Sequence, residues 1–119
     1  MMIRLQRVYE PADPSDGARV LVERLWPRGI SKERAALKLW LKDVAPSPEL
    51  RTWFGHDPEK WEEFRRRYWE ELEHNPEPIE QLRELVEQGN VTFIYSAHDE
   101  EHNAAVVLKD YIERSKVAA

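Results

Sequence analysis

Three times between residues 47 and 77 the chain places a small polar residue before proline and glutamate: Ser47-Pro48-Glu49, Asp57-Pro58-Glu59 and Asn75-Pro76-Glu77. Each is a helix start. The polar side chain caps free backbone N–H groups, and proline at the first helical position lacks an N–H that would have no partner there anyway. Behind the second start, Trp61, Phe64, Tyr68 and Leu72 recur at spacings of three, four and four, which is one face of a helix. Behind the third, Ile79, Leu82 and Val86 turn inward, and Gly89 stands where a left-handed C-terminal cap is expected.

Strand patterns lie on both sides of this helical stretch. Ile3 to Tyr9 alternates imperfectly, Arg19 to Glu23 is rich in β-branched residues, and Leu37, Leu39 and Leu41 alternate with Lys38, Trp40 and Lys42. Glu10 to Gly17, between the first two runs, is turn chemistry. Val91 to Tyr95 is an unbroken run of β-formers, the pattern of a strand buried on both faces. It breaks at Ser96, and Ala104, Val107, Leu108, Tyr111 and Ile112 mark a final helix, with Ser96 and Asp99 at capping-box spacing. The expected fold is α/β, one domain over residues 1–119, with a small, mainly parallel sheet flanked by helices.

Composition bounds the function classes. There is no cysteine, which excludes disulfides, thiolate metal sites and a cysteine nucleophile. No apolar run approaches the ~20 residues of a membrane span, and the N-terminus lacks the apolar segment of a secretory signal. A cytoplasmic protein is expected. Charge is spread unevenly: residues 1–42 carry +4 and residues 43–119 carry −9. Such asymmetry suits an anion site on one face. The plainer expectation is that the two parts neutralise each other through surface ion pairs.

In open α/β sheets ligands bind at the carboxyl ends of the strands, and two such ends carry unusual residues. The first is Arg24-Leu25-Trp26-Pro27-Arg28-Gly29-Ile30-Ser31. Two guanidinium forks beside an aromatic ring suit a phosphate or carboxylate, and Ser31 caps a short helix. Trp26 is expected to fix the loop rather than to bind. The second is Tyr95-Ser96-Ala97-His98-Asp99-Glu100-Glu101-His102-Asn103. His98 and His102 fit an H-x-x-E-H pattern, but a third ligand would have to come from upstream, and no metal is assigned. Ser96 lacks the glycines of a nucleophile elbow and is expected to cap. No Walker loop and no G-x-G-x-x-G occurs, and no cofactor is implied.

Arg24 to Gly29, then Leu41-Lys42-Asp43-Val44-Ala45-Pro46-Ser47, then Leu50-Arg51-Thr52-Trp53-Phe54-Gly55-His56-Asp57-Pro58, and finally Tyr95 to Asn103 together resemble the YeaO-like proteins. These are small bacterial and archaeal proteins of a domain family of unknown function. The resemblance spans residues 3–113 and implies a compact α/β fold in a prokaryotic cytoplasmic protein. It directs attention to Arg24, Arg28, Asp43, Ser47, His56, Asp57, Asp99, His102 and Asn103. It also implies that lysine is common where this chain has His98, which suits an anion site better than a metal.

The leading expectation is a phosphate- or nucleotide-type anion held between the 24–32 and 95–103 loops. Arg24 and Arg28 would clamp it with Asp43 and His56 as further ligand contacts, Asp99 or His102 would move a proton, and Asn103 would orient the substrate. The alternative is a nucleic-acid or protein interaction module that uses the basic first third, with Trp40 or Trp53 stacking on bases.

Overall fold

The computed structural model describes residues 3–115. Four strands, β1 (Ile3–Arg7), β2 (Ala18–Leu21), β3 (Leu39–Trp40) and β4 (Val91–Tyr95), form one sheet in the order β1-β4-β2-β3 with every neighbouring pair parallel. Five helices accompany them: α1 (Lys32–Ala35), α2 (Pro48–Phe54), α3 (Trp61–Glu73), α4 (Pro76–Gln88) and α5 (Ala104–Ser115). The fold is α/β with a small parallel sheet flanked by helices. Among the described residues no helix is long and apolar enough to cross a membrane.

The sheet separates two cores of unequal depth. Val20, Val22, Phe93 and Tyr95 point into the larger, where Leu50, Phe54, Phe64, Tyr68, Leu72 and Leu82 pack from α2, α3 and α4 and Leu108 from α5. Strand residues alternate between faces, so Leu21 and Ile94 point the other way. With Val8, Ile30 and Ala35 they form a thin second core, roofed by half-buried Tyr9, Trp26, Leu37 and Trp40. All five residues of β4 are buried, as its unbroken apolar run requires of a central strand.

Local chemistry departs from the sequence pattern in four places. Ser47 caps Leu50 and Asp57 caps Glu59, but Asn75 makes no side-chain cap; its amide donates to the Asp43 carbonyl at 2.7 Å instead. Gly89 is nearly extended at φ 157° and ψ −163°, not left-handed. The third strand is two residues long, although flanking bonds from Lys38 N–H to the Arg19 carbonyl and from Leu41 N–H to the Leu21 carbonyl prolong its pairing. The last helix starts at Ala104, because Asp99 turns the preceding backbone on its own carboxylate and the Asn103 side chain accepts the Val106 N–H at 3.1 Å.

Candidate functional site

The carboxyl ends of β1, β2 and β4 are laced together by polar side chains. Glu23, just past β2, accepts both the hydroxyl and the backbone N–H of Ser96, just past β4. Ser96 therefore fastens two strand ends, and neither caps the last helix nor stands free as a nucleophile. Arg7, the last residue of β1, donates to the Ala97 carbonyl at 2.8 Å and approaches His98 Nδ1 at 3.4 Å. Its guanidinium lies 5.1 Å from the centre of the Tyr9 ring, and the Tyr9 hydroxyl donates to the Arg28 carbonyl at 3.2 Å. Arg7 and Tyr9 were not singled out by sequence patterning, since an arginine closing a strand looks like any solvated edge residue.

The two arginines of the first loop have different fates. Arg24 turns inward, donating to the carbonyls of Ala45 and Pro46 at 3.3 and 3.4 Å, while its Nε is buried without a partner. Arg28 is exposed, and its guanidinium has no hydrogen bond or ion pair among the described residues. Trp26 donates from Nε1 to the Ile30 carbonyl at 2.7 Å and meets Trp40 edge to face at 5.3 Å, so it holds the loop. Gly29 takes φ +78°, where a side chain would be strained.

In the second loop Asp99 accepts from the Glu101 and His102 backbone N–H groups and contacts His102 Nδ1 at 2.9 Å. The Glu101 N–H bond first, then the His102 side chain, holds the Asp99 carboxyl below its ordinary value. The Asn103 amide donates to the Asp99 carbonyl at 2.9 Å, so both of its polar atoms serve the helix entry. His102 stands edge-on to Trp61 at 5.1 Å. His56 is exposed at φ 57° beside Phe54, and its ring reaches His102 only through Phe54 and Trp61. Asp43 presents an exposed side chain and lends its carbonyl to Asn75. Asp99, His102 and Asn103 thus come together, while Arg24, Asp43 and His56 face other partners.

Charge is the larger finding. Every ion pair among the described residues lies within residues 1–42 or within residues 43–119, and none joins the two. The expectation of mutual neutralisation by surface pairs is therefore wrong. The physical reason is the sheet itself, which puts α1 and its flanking loops on one side and α2 to α5 on the other. Arg28, Lys32, Arg34, Lys38 and Lys42 are all exposed, and among the described residues none of them pairs with a carboxylate. Lys42 lies 4.3 Å from the Trp40 ring centre, and Arg34 donates to the Tyr9 carbonyl at 3.1 Å. The outcome is a cationic surface backed by Tyr9, Trp26 and Trp40.

A family model described as the inactive DUF488-N3 subclade matches residues 2–118. The uncharacterized protein YeaO of Escherichia coli is 41% identical over 112 residues, covering 94% of this chain and 97% of that one. The chain belongs to the YeaO-like family. Uncharacterized proteins of Mycobacterium tuberculosis and Mycobacterium bovis are 46% identical over 106 residues, 89% of each chain. No solved structure matches. The YeaO-like match runs through both strand-end loops and through the cationic surface, so the candidate site lies wholly inside the shared region.

Proposed function

We propose that this YeaO-like chain is an interaction module that binds a nucleic-acid-type polyanion through the cationic, aromatic-backed surface of residues 7–42. The observation that carries this reading is that, among the described residues, no ion pair joins that surface to the acidic remainder. Phosphates take the place of the missing carboxylates, and Arg28, Lys32, Lys38 and Lys42 supply the charge. Trp40 and Tyr9 add ring faces at its border. The overall charge of −5 weighs less than the local charge, because screening at physiological salt confines surface electrostatics to about 8 Å. The description of the matching family as an inactive subclade fits binding better than catalysis. A gel shift with single- and double-stranded probes at ~50 mM and ~200 mM salt tests it, with steep loss of binding expected at the higher salt. Unchanged probe mobility at the lower salt overturns it.

A second reading keeps a small phosphate-type anion beside Arg28, with Asp99 and His102 as proton carriers. Its support is the 2.9 Å contact between those two side chains. Stabilisation by inorganic phosphate or nucleotides, about 2.7 kcal/mol at a hundred times the dissociation constant, favours it over the polyanion.

A further inference from the structure

At the amino ends of the strands, opposite the strand-end loops, the surface sinks into a depression of about 620 Å³. Leu37 and Lys38 line it from the segment before β3, Leu85 and Gln88 from the end of α4, and Ala18 and Arg19 from the start of β2. Ala18, Leu37 and Leu85 are only half-buried, so it offers apolar surface. Its cations are Arg19 and Lys38, and no carboxylate lines it among the described residues.

Arg19 is an incompletely used donor. It is 4% exposed, and its Nε and Nη1 are taken by the Ala35 carbonyl, Gln6 and Asp16. Its Nη2 is buried with no hydrogen-bond partner. Nη2 shares an edge of the planar fork with Nε, which faces the Ala35 carbonyl. From Ala35 the chain runs straight into the Leu37 and Lys38 lining. A buried charged donor left unpaired costs free energy that an acceptor from outside recovers. Asp16 balances the charge of Arg19. Lys38, unpaired with any carboxylate among the described residues, makes the depression positive on balance.

The end of α4 restricts what kind of anion fits. It has no basic residue in its last turn, and a helix C-terminus repels negative charge. A bare inorganic anion gains nothing from Leu85. A carboxylate with a hydrocarbon body keeps its charge beside Arg19 and Lys38 and turns its apolar part to α4.

We propose that this depression binds a small aliphatic carboxylate, with one oxygen toward Arg19 Nη2, the other toward Lys38, and the hydrocarbon against Ala18, Leu37 and Leu85. The site stands apart from the polyanion reading, of whose cations it shares only Lys38.

Titration of the isotopically labelled full chain with isocaproate, followed by nuclear magnetic resonance, is the test. Saturable shifts are expected at the Lys38, Gly89 and Asn90 amides and at the Arg19 Nε–H. Isopentylamine, the same hydrocarbon without the acid, is expected to leave them unmoved, and inorganic phosphate to bind at least about tenfold more weakly. Lys38→Gln is expected to weaken isocaproate about tenfold, the scale of one charge-assisted hydrogen bond. Gln88→Trp, which sets a ring at the rim, is expected to abolish binding, and both variants to keep wild-type circular dichroism. No saturable shift at those groups overturns the proposal. So does phosphate or isopentylamine binding there as tightly as isocaproate, or either variant binding like wild type. Gln88→Trp keeps every cation, so any salt-dependent gel shift of the wild type persists in it, and the two readings fail separately.

Discussion

Glu23 and Ser96 clasp the carboxyl ends of β2 and β4, one carboxylate oxygen accepting the Ser96 hydroxyl at 2.8 Å and the other its backbone N–H at 3.0 Å. Both bonds are charge-assisted, and both are lost together when the carboxylate goes. Glu23→Ala is expected to lower the unfolding free energy by about 1–3 kcal/mol in urea titration, and Ser96→Ala by less, because its N–H bond survives. Equal midpoints for Glu23→Ala and wild type would show that the clasp contributes nothing.

Arg24 reaches the carbonyls of Ala45 and Pro46, which tie the loop after β2 to the segment entering α2. Arg24→Ala is expected to lower thermal stability while leaving gel-shift affinity close to wild type. Arg28→Ala, by contrast, should weaken nucleic-acid binding without moving the melting temperature. The reverse pattern would restore Arg24 as the anion ligand.

A buried ion pair holds the thin side. Arg19 donates to Asp16 at 2.6 Å, to Gln6 at 2.8 Å and to the Ala35 carbonyl at 3.0 Å, and both charged residues are almost wholly buried. Arg19→Met strands the Asp16 carboxylate and is expected to destabilise by about 3–5 kcal/mol. Adding Asp16→Asn should recover part of that loss in chemical denaturation. No recovery would mean that arginine packing, not charge pairing, sets the effect.

Asp99 supplies a pH dependence. Its carboxyl is held below 3.8 by the Glu101 N–H and by His102, so the folded state favours the ionised form. The stability this adds is complete above the ordinary value and is lost as pH falls through the lowered one. Thermal melts across that acid range should show a steeper decline for wild type than for Asp99→Asn. Parallel curves would remove Asp99 from the acid response.

Charge reversal at the cationic surface gives the most direct reading of the proposed function. Lys38→Glu with Lys42→Glu should reduce both the affinity and the salt slope, since each lost phosphate contact lowers the slope by about 0.9 for duplex probes. A shift that keeps its wild-type slope would place the binding surface elsewhere.

Much of the fold was legible along the chain. The buried run Val91–Tyr95 marked the central strand, and the Trp61, Phe64, Tyr68 and Leu72 spacing marked the α3 face that packs beneath the sheet. Asp99, His102 and Asn103 came together as their spacing of three and four residues suggests, because one turn of backbone is enough to join them. Glu23 with Ser96, and Arg7 with Ala97, lie 73 and 90 residues apart and carry no local signature.

Local sequence determined the elements: helix starts from cap and proline, strands from β-branched runs, and an uneven charge from simple counting. Only the tertiary structure decided which charges meet. Parallel pairing in the order β1-β4-β2-β3 set α1 and its cations on one face and the acidic helices on the other. It also turned Arg24 inward to backbone carbonyls while Arg28 stayed in solvent. Propensity acts over a few residues, whereas charge pairing depends on distance in space, which only the packing of the two layers on the sheet decides.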